Sequence, residues 1–388
     1  MAGGLRLPRR KRWSGGMTIS GDPTKAANID LPSSRPLPSH HHSRNSFEKM
    51  AATMRAWQFK NARGGLEKNL FLPAAGTSKP HITDSQILVE VHSAALNPAD
   101  YKFPEMGMVT KALIPIPAIS TPGMDFCGKV AEKGSKVDSF RVGEMVFGSY
   151  IGTFGHGSLA EYIAVSKEMI APMPDGMQVD DMAGVGCTGL TMYQSIKPYV
   201  KEGDKIFING GSGGTGVFGI QIAKALGCHV TTSCSGANVE LCKGLGADEV
   251  LDYKSVDVVT ALKEKGQVFS LVVDNAGSPR DFYKVSHNFL VPTGTFVQVS
   301  GPAGFGGFLN VASNMLLPGF LGGGKRKYHM MMVKNNAENL AQLGKWMQEG
   351  KVRPILDSVF EFDDVPKAFE KLKTGRAKGK IVVHVKKE

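Results

Sequence analysis

Two hydrophobic patterns follow one another along the chain. Between Met54 and Pro174, apolar and polar positions alternate in short stretches such as Met54–Phe59 and Ile87–Ala94. Glycine or proline interrupts this part about every ten residues, a spacing typical of short strands and turns in a β-rich, barrel-like unit. After Asp175 the rhythm becomes strand, helix, strand, helix, which predicts a parallel sheet with helices on both faces. The pattern therefore predicts an α/β protein with two differently built parts.

The second part contains the continuous apolar runs that buried parallel strands require. The pattern also predicts an apolar helix over Val217–Leu226, a helix over Asn238–Leu245 and an amphipathic helix around Leu340, Leu343 and Met347. The predicted strands are Lys205–Asn209, His229–Ser233, Glu249–Tyr253, Ser270–Asp274, Gly294–Val299, Tyr328–Val333 and a closing strand, Gly379–Val385. Strands and helices in this order are typical of a doubly wound sheet.

Positive charge is concentrated at the start of the chain. Residues 1–50 contain nine Lys and Arg against three Asp and Glu, a net charge of +6, whereas the other 338 residues contain 37 against 32, a net charge of +5. We therefore expect no basic stripe on the folded part and no nucleic acid as partner. No run approaches the roughly 18 apolar residues that a membrane span needs, so no membrane association is predicted.

Residues 1–53 are predicted to be a disordered basic extension or a targeting segment. Their composition, rich in Arg and poor in acids, is typical of a mitochondrial transit peptide, and the basic run at Arg9–Arg12 also fits a nuclear signal. A disordered tail, or translation that starts at Met50 or Met54, would explain the same pattern. The predicted location is therefore cytoplasmic or mitochondrial.

The five cysteines point to no covalent or metal framework. They are odd in number and form no CxxC pair. Neither a disulfide scaffold nor a zinc finger is therefore predicted, and buried, reduced thiols are the expected state.

A glycine-rich turn is the strongest chemical signal. Gly211, Gly213 and Gly216 satisfy G-x-G-x-x-G between a buried strand and an apolar helix, the context that dinucleotide binding requires. The first glycine allows the tight turn, the second lets backbone approach a pyrophosphate, and the third lets the helix pack on the strand. The helix N-terminus adds free N–H groups and a favourable dipole. The predicted cofactor-binding residues of the turn are Gly211, Ser212, Gly213, Gly214, Thr215, Gly216 and Val217.

The end of the next strand predicts which dinucleotide is bound. An NAD site places Asp or Glu there to hold the ribose 2′-OH, but residues 205–239 contain neither. The strand ends instead in Ser233, Cys234 and Ser235. Small hydroxyls accept a 2′-phosphate that a carboxylate would repel, so NADPH is favoured over NADH. The predicted ligands are Ser233 and Ser235, with Lys243, Tyr253 and Lys254 as the nearest further candidates.

Several motifs in a fixed order carry a resemblance to a known family. They are Ala95–Lys102, Pro122–Gly128, Val142–Gly148, the glycine turn, Leu245–Tyr253 and Gly375–Val383. From about Met54 onward the chain resembles the medium-chain dehydrogenase/reductase superfamily, and within it the zinc-free quinone oxidoreductase (zeta-crystallin-like) branch. It is especially similar to fungal zinc-type alcohol dehydrogenase-like proteins and to mitochondrial reticulon-interacting oxidoreductases.

The resemblance implies a GroES-like β-rich catalytic domain together with a Rossmann doubly wound parallel sheet. The catalytic domain would cover residues 54–171 and return at 346–388, the dinucleotide-binding domain would cover 172–345, and the active site would lie in the cleft. It also implies a homodimer. Ala237 stands where many relatives carry a basic residue, which leaves room for NADH. Further cofactor-binding residues implied by matched positions are Asn238, Tyr253, Asn275, Val299, Ser300 and Met332.

The places of the zinc ligands in related alcohol dehydrogenases hold other residues here. The Gly-His-Glu place reads Gly123-Met124-Asp125, the early Cys place reads Ala-Leu-Asn-Pro, and the four-cysteine lobe is missing. Catalytic zinc needs about three good ligands and an open position, so no metal is predicted. Without a Lewis acid, oxidation of an unactivated alcohol is not expected.

Reduction of an electrophilic acceptor needs less help. Hydride from the nicotinamide can reach a quinone or the β-carbon of an α,β-unsaturated carbonyl, and the developing oxyanion then needs only hydrogen-bond donors and a proton. The resemblance places Asn97 in the substrate cleft, where its amide could donate to that oxygen. Lys102 could add charge or a proton, with Tyr101 as a weaker candidate. The partner would be a small electrophilic carbonyl compound or quinone.

Two alternatives stay open. The chain could bind the cofactor without turnover, as an RNA-binding or structural protein, since zeta-crystallins serve as lens proteins. It could also be an enoyl reductase on carrier-bound acyl chains, with Lys325-Arg326-Lys327 facing the carrier. The loops 103–117 and 304–317 would shape the acceptor pocket, and spacing rules do not specify them.

Overall fold

A computed structural model describes residues 52–106, 117–151, 155–300, 311, 313–315 and 323–386. Every structural statement below concerns these residues. The prediction for residues 1–53 and most of the two acceptor-pocket loops lie outside them.

The dinucleotide half is built on a parallel sheet. Its strands, in spatial order, are β10 (Glu249–Asp252), β9 (His229–Cys234), β8 (Lys205–Asn209), β11 (Phe269–Asp274), β12 (Leu290–Gln298) and β13 (Lys327–Met330). Every neighbouring pair is parallel. The strand order reverses between β8 and β11, and in such sheets ligands bind outside the carboxyl ends of the strands at this reversal. The predicted doubly wound sheet is confirmed.

Helices connect the parallel strands. The first, α4 (Gly214–Ala225), follows β8 directly, and its side chains Val217, Phe218, Ile220 and Ile222 are completely buried. Full burial of such a side chain stabilises the fold by about 1.5–3 kcal/mol, which fixes α4 against the sheet. The other helices of this half are α3 (Gly186–Ile196), α5 (Val239–Gly244), α6 (Val258–Glu264), α7 (Phe282–Val285) and α8 (Ala337–Gln348).

The other half is built on a mostly antiparallel sheet. Its order is β14 (Leu356–Glu361), β15 (Lys380–His384), β3 (Gln86–Leu96), β4 (Asp125–Lys133), β5 (Met145–Ser149) and β7 (Ile170–Pro172), with β6 (Tyr162–Ser166) also on β3. A separate strand pair is β1 (Thr53–Met54) with β2 (Thr77–Ser78), and the helices are α1 (Pro98–Glu105), α2 (Val179–Ala183) and α9 (Val365–Lys373).

The C-terminal segment completes this antiparallel sheet. Strand β15 lies between β14 and β3, and Ile381 pairs with Leu96 while His384 pairs with Ser93. The chain thus leaves the antiparallel half, forms the parallel half and returns. One hydrophobic cluster contains Cys127 and Phe147 from the antiparallel sheet, Val217 from α4 and Leu343 from α8. A shared core of this kind holds the two halves against each other; the exact domain boundaries stay a prediction.

Candidate functional site

The glycine turn joins β8 to α4 at the strand reversal. A Cβ on Gly211 would collide with Oγ1 of Thr232, and one on Gly216 would collide with the carbonyl oxygen of Gly210. A Cβ on Gly213 would meet nothing closer than 3.9 Å. Gly211 and Gly216 are therefore required by packing, whereas the space at Gly213 is open to a ligand. Residues 212–215 are only half-buried, while the side chain of Val217 points into the core.

Polar side chains at the strand ends hold this turn. The buried hydroxyl of Ser233 donates to Oδ1 of Asn209 at 2.6 Å and accepts the N–H of Gly210 at 3.1 Å. Asn209 in turn donates to Asp274 at 2.8 Å. Burial raises the pKa of Asp274 to about 6, although hydrogen bonds from Asn209, Gly277 and Ala276 lower it. Ser233 was expected to bind the 2′-phosphate, but the structure engages its hydroxyl within the turn.

Three of the predicted cofactor-binding residues, Ser212, Ser235 and Asn238, lie together beyond the end of β9. We call this place the mouth beside β9. The Asn238 amide donates to Ser212 at 3.0 Å and to Ser235 at 3.3 Å, while its Oδ1 is buried without a partner among the described residues. Tyr253 is brought close by sheet pairing, since its N–H donates to the carbonyl of Cys234 at 3.1 Å, and its side chain is 56% exposed. An unpaired amide oxygen beside two hydroxyls fits a ribose hydroxyl, which can donate a hydrogen bond to it.

One acidic group near this mouth was missed by the sequence analysis. Asp252 pairs in register with Cys234, and a Cβ on Gly236 would lie 2.7 Å from its carboxylate. The carboxylate accepts the N–H of Lys254 at 3.0 Å and the hydroxyl of Ser255 at 2.8 Å, and these bonds lower its pKa. Only the parallel pairing of β9 with β10 reveals this neighbour, because the residues are 16 or more positions apart along the sequence.

The ends of β11 and β12 offer a second set of predicted contacts. Both polar side-chain atoms of Asn275 are buried and have no partner in the part of the chain that the structure describes. The N–H groups of Val299 and Ser300 both donate to the carbonyl of Asp274, whereas Met332 is 71% exposed. Buried polar groups are normally hydrogen-bonded, so the orphaned amide of Asn275 fits a ligand. The turn and these strand ends together fit a dinucleotide.

A buried polar cluster joins β4, β15 and the residue before α1. Asn97 precedes α1 and is 2% exposed, and it contacts Asp125 of β4 and Lys380 of β15, which are 0% and 2% exposed. Asn97 Nδ2 donates to Asp125 Oδ2 at 2.8 Å, and Lys380 Nζ donates to Asn97 Oδ1 at 2.7 Å. Lys380 and Asp125 form an ion pair at 3.0 Å. We call Asn97, Asp125 and Lys380 the buried triad.

The triad is anchored on every side. Asp125 Oδ1 accepts the N–H of Cys187 at the start of α3 at 2.6 Å, and Lys380 Nζ also donates to the carbonyl of Leu96 at 3.2 Å. Asp125 and Lys380 were not among the residues that the sequence predicted to be functional. A signal was present, since Lys380 begins an otherwise apolar strand, and a Lys is almost never fully buried unless it is paired.

Asp100 lies beside the triad and is 3% exposed. Its Oδ2 accepts the N–H of Asn97 at 2.7 Å, while its Oδ1 has no partner among the described residues and a small cavity lies next to it, lined by Phe59, Thr121 and Met124. Burial raises the pKa of Asp100 to about 8; the hydrogen bond from the Asn97 N–H and the charge of Lys380 oppose this rise, whereas the charge of Asp125 adds to it. Asp100 is therefore a buried acid that holds its proton near neutral pH.

The other two predicted catalytic residues are placed differently. Lys102 is exposed on α1, and Tyr101 is half-buried with the ammonium of Lys373 5.5 Å from its ring centre. Burial raises the pKa of Tyr101. The structure thus brings Asn97 into the triad but not Lys102 or Tyr101.

The triad lies beside the glycine turn. A Cβ on Gly214, the first residue of α4, would lie 3.2 Å from the carbonyl oxygen of Gly379 and 3.8 Å from both Lys380 Cδ and Thr188 Cγ2. The Lys380 stem therefore runs beside the first turn of the cofactor helix, and its ammonium reaches Asn97. The cofactor side and the triad meet at one residue.

The described residues contain neither a group of side chains that could hold a metal ion nor a helix that could cross a membrane. No group of three or more His, Cys, Asp or Glu side chains in those residues could hold a metal ion. Within the same ranges, no helix is both long and apolar enough to cross a membrane.

Comparison with known proteins places the chain in a family. Residues 83–175 match the alcohol dehydrogenase GroES-like domain, and residues 245–383 match the zinc-binding dehydrogenase family. The chain is 46% identical to the trans-enoyl reductase pgmF of Aspergillus terreus over 86% of this chain and 97% of that protein. It is 35% identical to a zinc-type alcohol dehydrogenase-like protein of Schizosaccharomyces pombe over 82% of this chain and 91% of that protein.

A solved structure agrees with these sequence matches. The quinone oxidoreductase of Coxiella burnetii superposes with a TM-score of 0.74 at 30% identity, covering 86% of this chain and all of that one. The expected combination of GroES-like and Rossmann parts is thus confirmed, together with the resemblance that implied it. The chain belongs to the medium-chain dehydrogenase/reductase superfamily of NAD(P)H-dependent oxidoreductases.

Proposed function

We propose that this protein uses NADPH to reduce an α,β-unsaturated carbonyl compound or a quinone without catalytic zinc. The observation that carries the proposal is the closeness of the glycine turn to the buried triad, since Lys380 Cδ lies 3.8 Å from the point where a Cβ of Gly214 would stand. Where related dehydrogenases place metal ligands, this cleft has a carboxamide held between a buried cation and a buried anion. Such a site suits an acceptor that is already electrophilic.

The chain's own residues divide the work. The turn and the orphaned amide of Asn275 bind the dinucleotide, which supplies hydride to the acceptor when bound. Charge then develops on the acceptor oxygen, and a preorganised N–H donor stabilises it best in a site without water. Asn97 is our candidate donor. Asp100, with its pKa raised to about 8, is a candidate source of the proton that completes the reduction.

NADPH is the preferred cofactor in this proposal. Ser212, Ser235 and Asn238 come together at the mouth beside β9, where small polar groups can accept a 2′-phosphate. Ser233 no longer contributes to this argument, and Asp252 opposes it, since its carboxylate lies next to Gly236. The hydrogen bonds from Lys254 and Ser255 offset part of that negative charge.

A carrier-bound acyl chain is a second candidate acceptor. It is favoured by the 46% identity to a protein named a trans-enoyl reductase, since an enoyl thioester presents the same conjugated carbonyl. The basic run Lys325–Lys327 gives it little support, because the Arg326 guanidinium donates to the carbonyls of Leu290 and His287. The homodimer and the cytoplasmic or mitochondrial location stay predictions.

One assay separates these possibilities. The full chain is mixed with NADPH or NADH and with 9,10-phenanthrenequinone, a 2-alkenal or crotonyl-coenzyme A, with and without EDTA, and loss of the reduced nicotinamide is followed. We expect turnover with NADPH that EDTA leaves unchanged. The best acceptor assigns the substrate class. Loss of activity with EDTA, or NADPH binding without turnover on any acceptor, would contradict the proposal.

A further inference from the structure

We infer that Lys380 and Asp125 are positioning residues that fix the direction of the Asn97 carboxamide, so that Asn97 offers an N–H and not an oxygen to the acceptor. The inference rests on the proposed function. It goes beyond that function by assigning roles to two buried charges that touch neither the substrate nor the cofactor chemistry directly.

The direction of the amide follows from the chemistry of its two neighbours. A Lys ammonium only donates hydrogen bonds and an ionised carboxylate only accepts them. With Lys380 Nζ 2.7 Å from Asn97 Oδ1 and Asp125 Oδ2 2.8 Å from Asn97 Nδ2, one orientation satisfies both contacts. The flipped amide would place NH₂ against the ammonium and the oxygen against the carboxylate. Two hydrogen bonds would become two repulsions.

Burial makes this choice strict. Asn97, Asp125 and Lys380 are each at most 2% exposed, so water cannot replace a lost partner. Hydrogen bonds to charged groups are about twice as strong as neutral ones, and low local dielectric strengthens them further. A neutral pair of neighbours, each able both to donate and to accept, would allow either orientation.

The same contacts leave one hydrogen of Asn97 uncommitted. The ammonium of Lys380 donates hydrogen bonds to Leu96, Asn97 and Asp125. The carboxylate of Asp125 accepts hydrogen bonds from Cys187, Asn97 and Lys380. Among the described residues, the second N–H of Asn97 meets the carbonyl oxygen of Ala95 at 3.5 Å. That distance is too long for a strong N–H···O bond. This weakly held hydrogen is the one that we assign to the oxygen of the acceptor.

The position of Lys380 is itself set by the cofactor side. Its Cδ lies 3.8 Å, and the carbonyl of Gly379 3.2 Å, from the point where a Cβ of Gly214 would stand. The direction of the Asn97 amide is therefore fixed relative to α4, the helix to which we assign the pyrophosphate. Hydride donor and hydrogen-bond donor are held by one connected set of contacts.

The test removes both charges at once, because removing one would leave the other buried and unpaired. In the Asp125→Asn/Lys380→Met variant we measure the melting temperature, the NADPH dissociation constant, and kcat and KM for the best acceptor. We expect a folded protein with NADPH affinity and KM within about threefold of wild type and kcat lower by about 30-fold or more, roughly the loss of one oriented donor. Lys378→Met, an exposed lysine two residues away, is the matched control with unchanged kinetics.

A double-mutant cycle makes the role specific. Asn97→Ala should lower kcat strongly in the wild-type background but by less than about threefold in the double variant, because the amide there is already unoriented. Equal effects in both backgrounds, or a wild-type kcat in the double variant, would overturn the inference. Loss of NADPH binding in the double variant would overturn it as well, since the pair would then serve the cofactor site.

Two further outcomes are distinguished by design. If the double variant does not fold, Asp125→Asn alone is measured. Its carboxamide keeps the shape of Asp125 and its oxygen can still accept from Lys380, so we expect a less stable but folded protein with kcat lower by about fivefold and NADPH affinity unchanged; an unchanged kcat would count against the inference. If wild type reduces no acceptor, the proposed function fails and the inference with it. If wild type is active and the variants match it, only the inference fails.

Discussion

The glycine turn and the buried triad differ in how they are built. The turn lies within eight consecutive residues, Asn209–Gly216, and works mainly through backbone and the absence of side chains. The triad joins residues from β4, β15 and the loop before α1, up to 283 positions apart, and works through two charges. A local motif of backbone groups tolerates a changed surrounding, whereas a buried charged cluster depends on every partner. The two regions should therefore fail in different ways.

The largest effect is expected from a single charge deletion in the triad. Lys380→Met leaves the Asp125 carboxylate buried and unpaired, which should lower the free energy of unfolding by about 3–5 kcal/mol. Denaturant unfolding of the full chain measures it, with Lys378→Met as control. A loss below about 1 kcal/mol would mean that the ion pair of Lys380 with Asp125 adds little to the stability of the fold.

The glycine turn should separate packing from binding. Gly216→Ala places a Cβ against the Gly210 carbonyl and should cost about 1–3 kcal/mol of stability. Gly213→Ala has room for its Cβ, so stability should change by less than about 0.5 kcal/mol. NADPH affinity should nevertheless fall by about tenfold or more, equivalent to about 1.4 kcal/mol. Thermal unfolding and NADPH titration compare the two variants; equal losses of stability would break the distinction.

These two regions also mark how far the sequence could predict the molecule. The turn, α4 and the alternation of strands were predicted because each depends on neighbours within a few residues. The parallel sheet followed from the alternation of strands and helices. Asp125 and Lys380 each lay in a recognised motif, but their pairing across 255 positions depends on β15 pairing with β3, whose other neighbour is β4.

The same limit applies to two individual residues, Ser233 and Asp252. Ser233 was expected at the 2′-phosphate because strand ends usually face the ligand, but its hydroxyl satisfies Asn209 and Gly210 instead. Asp252 was overlooked because it belongs to the next strand and approaches Gly236 only through sheet pairing. Side-chain direction and cross-strand neighbours are set by tertiary packing, which local patterns do not contain.

Asp100 should give the triad side a pH dependence that extends to higher pH than the one Asp274 gives the turn, because burial raises the pKa of Asp274 only to about 6. Its pKa in the folded chain is raised from 3.8 to about 8 by burial, so the folded state binds the proton more tightly than the unfolded state between these values. Stability should therefore fall as pH rises through this window, by at most about 1.4 kcal/mol per pH unit, and level off above it. Asp100→Asn removes this contribution, so its advantage over wild type should grow from pH 5 to pH 8. Unfolding curves across this range measure it; parallel curves would show that Asp100 is ionised throughout.

The smallest predicted effect concerns cofactor choice at the mouth beside β9. Ser235→Asp adds a carboxylate where we place the 2′-phosphate, and should raise the NADPH dissociation constant by about fivefold to tenfold, equivalent to about 1–1.4 kcal/mol. NADH affinity should change by less than twofold. Ser85→Asp, at an exposed serine just before β3 in the antiparallel half, is the control. Equal weakening of both cofactors would place the 2′-phosphate elsewhere.

Strand β15 has a consequence for how the protein is made. It inserts between β14 and β3, and it carries Lys380. During synthesis, β3, β4 and the whole cofactor turn emerge before residues 380–384 exist. Until then Asp125 has no cation, and β3 has an open edge of unpaired backbone groups. A nascent chain therefore gains its cofactor turn early and its reaction site last, and we expect chaperones to find the edge of β3 exposed on the ribosome until that last strand arrives.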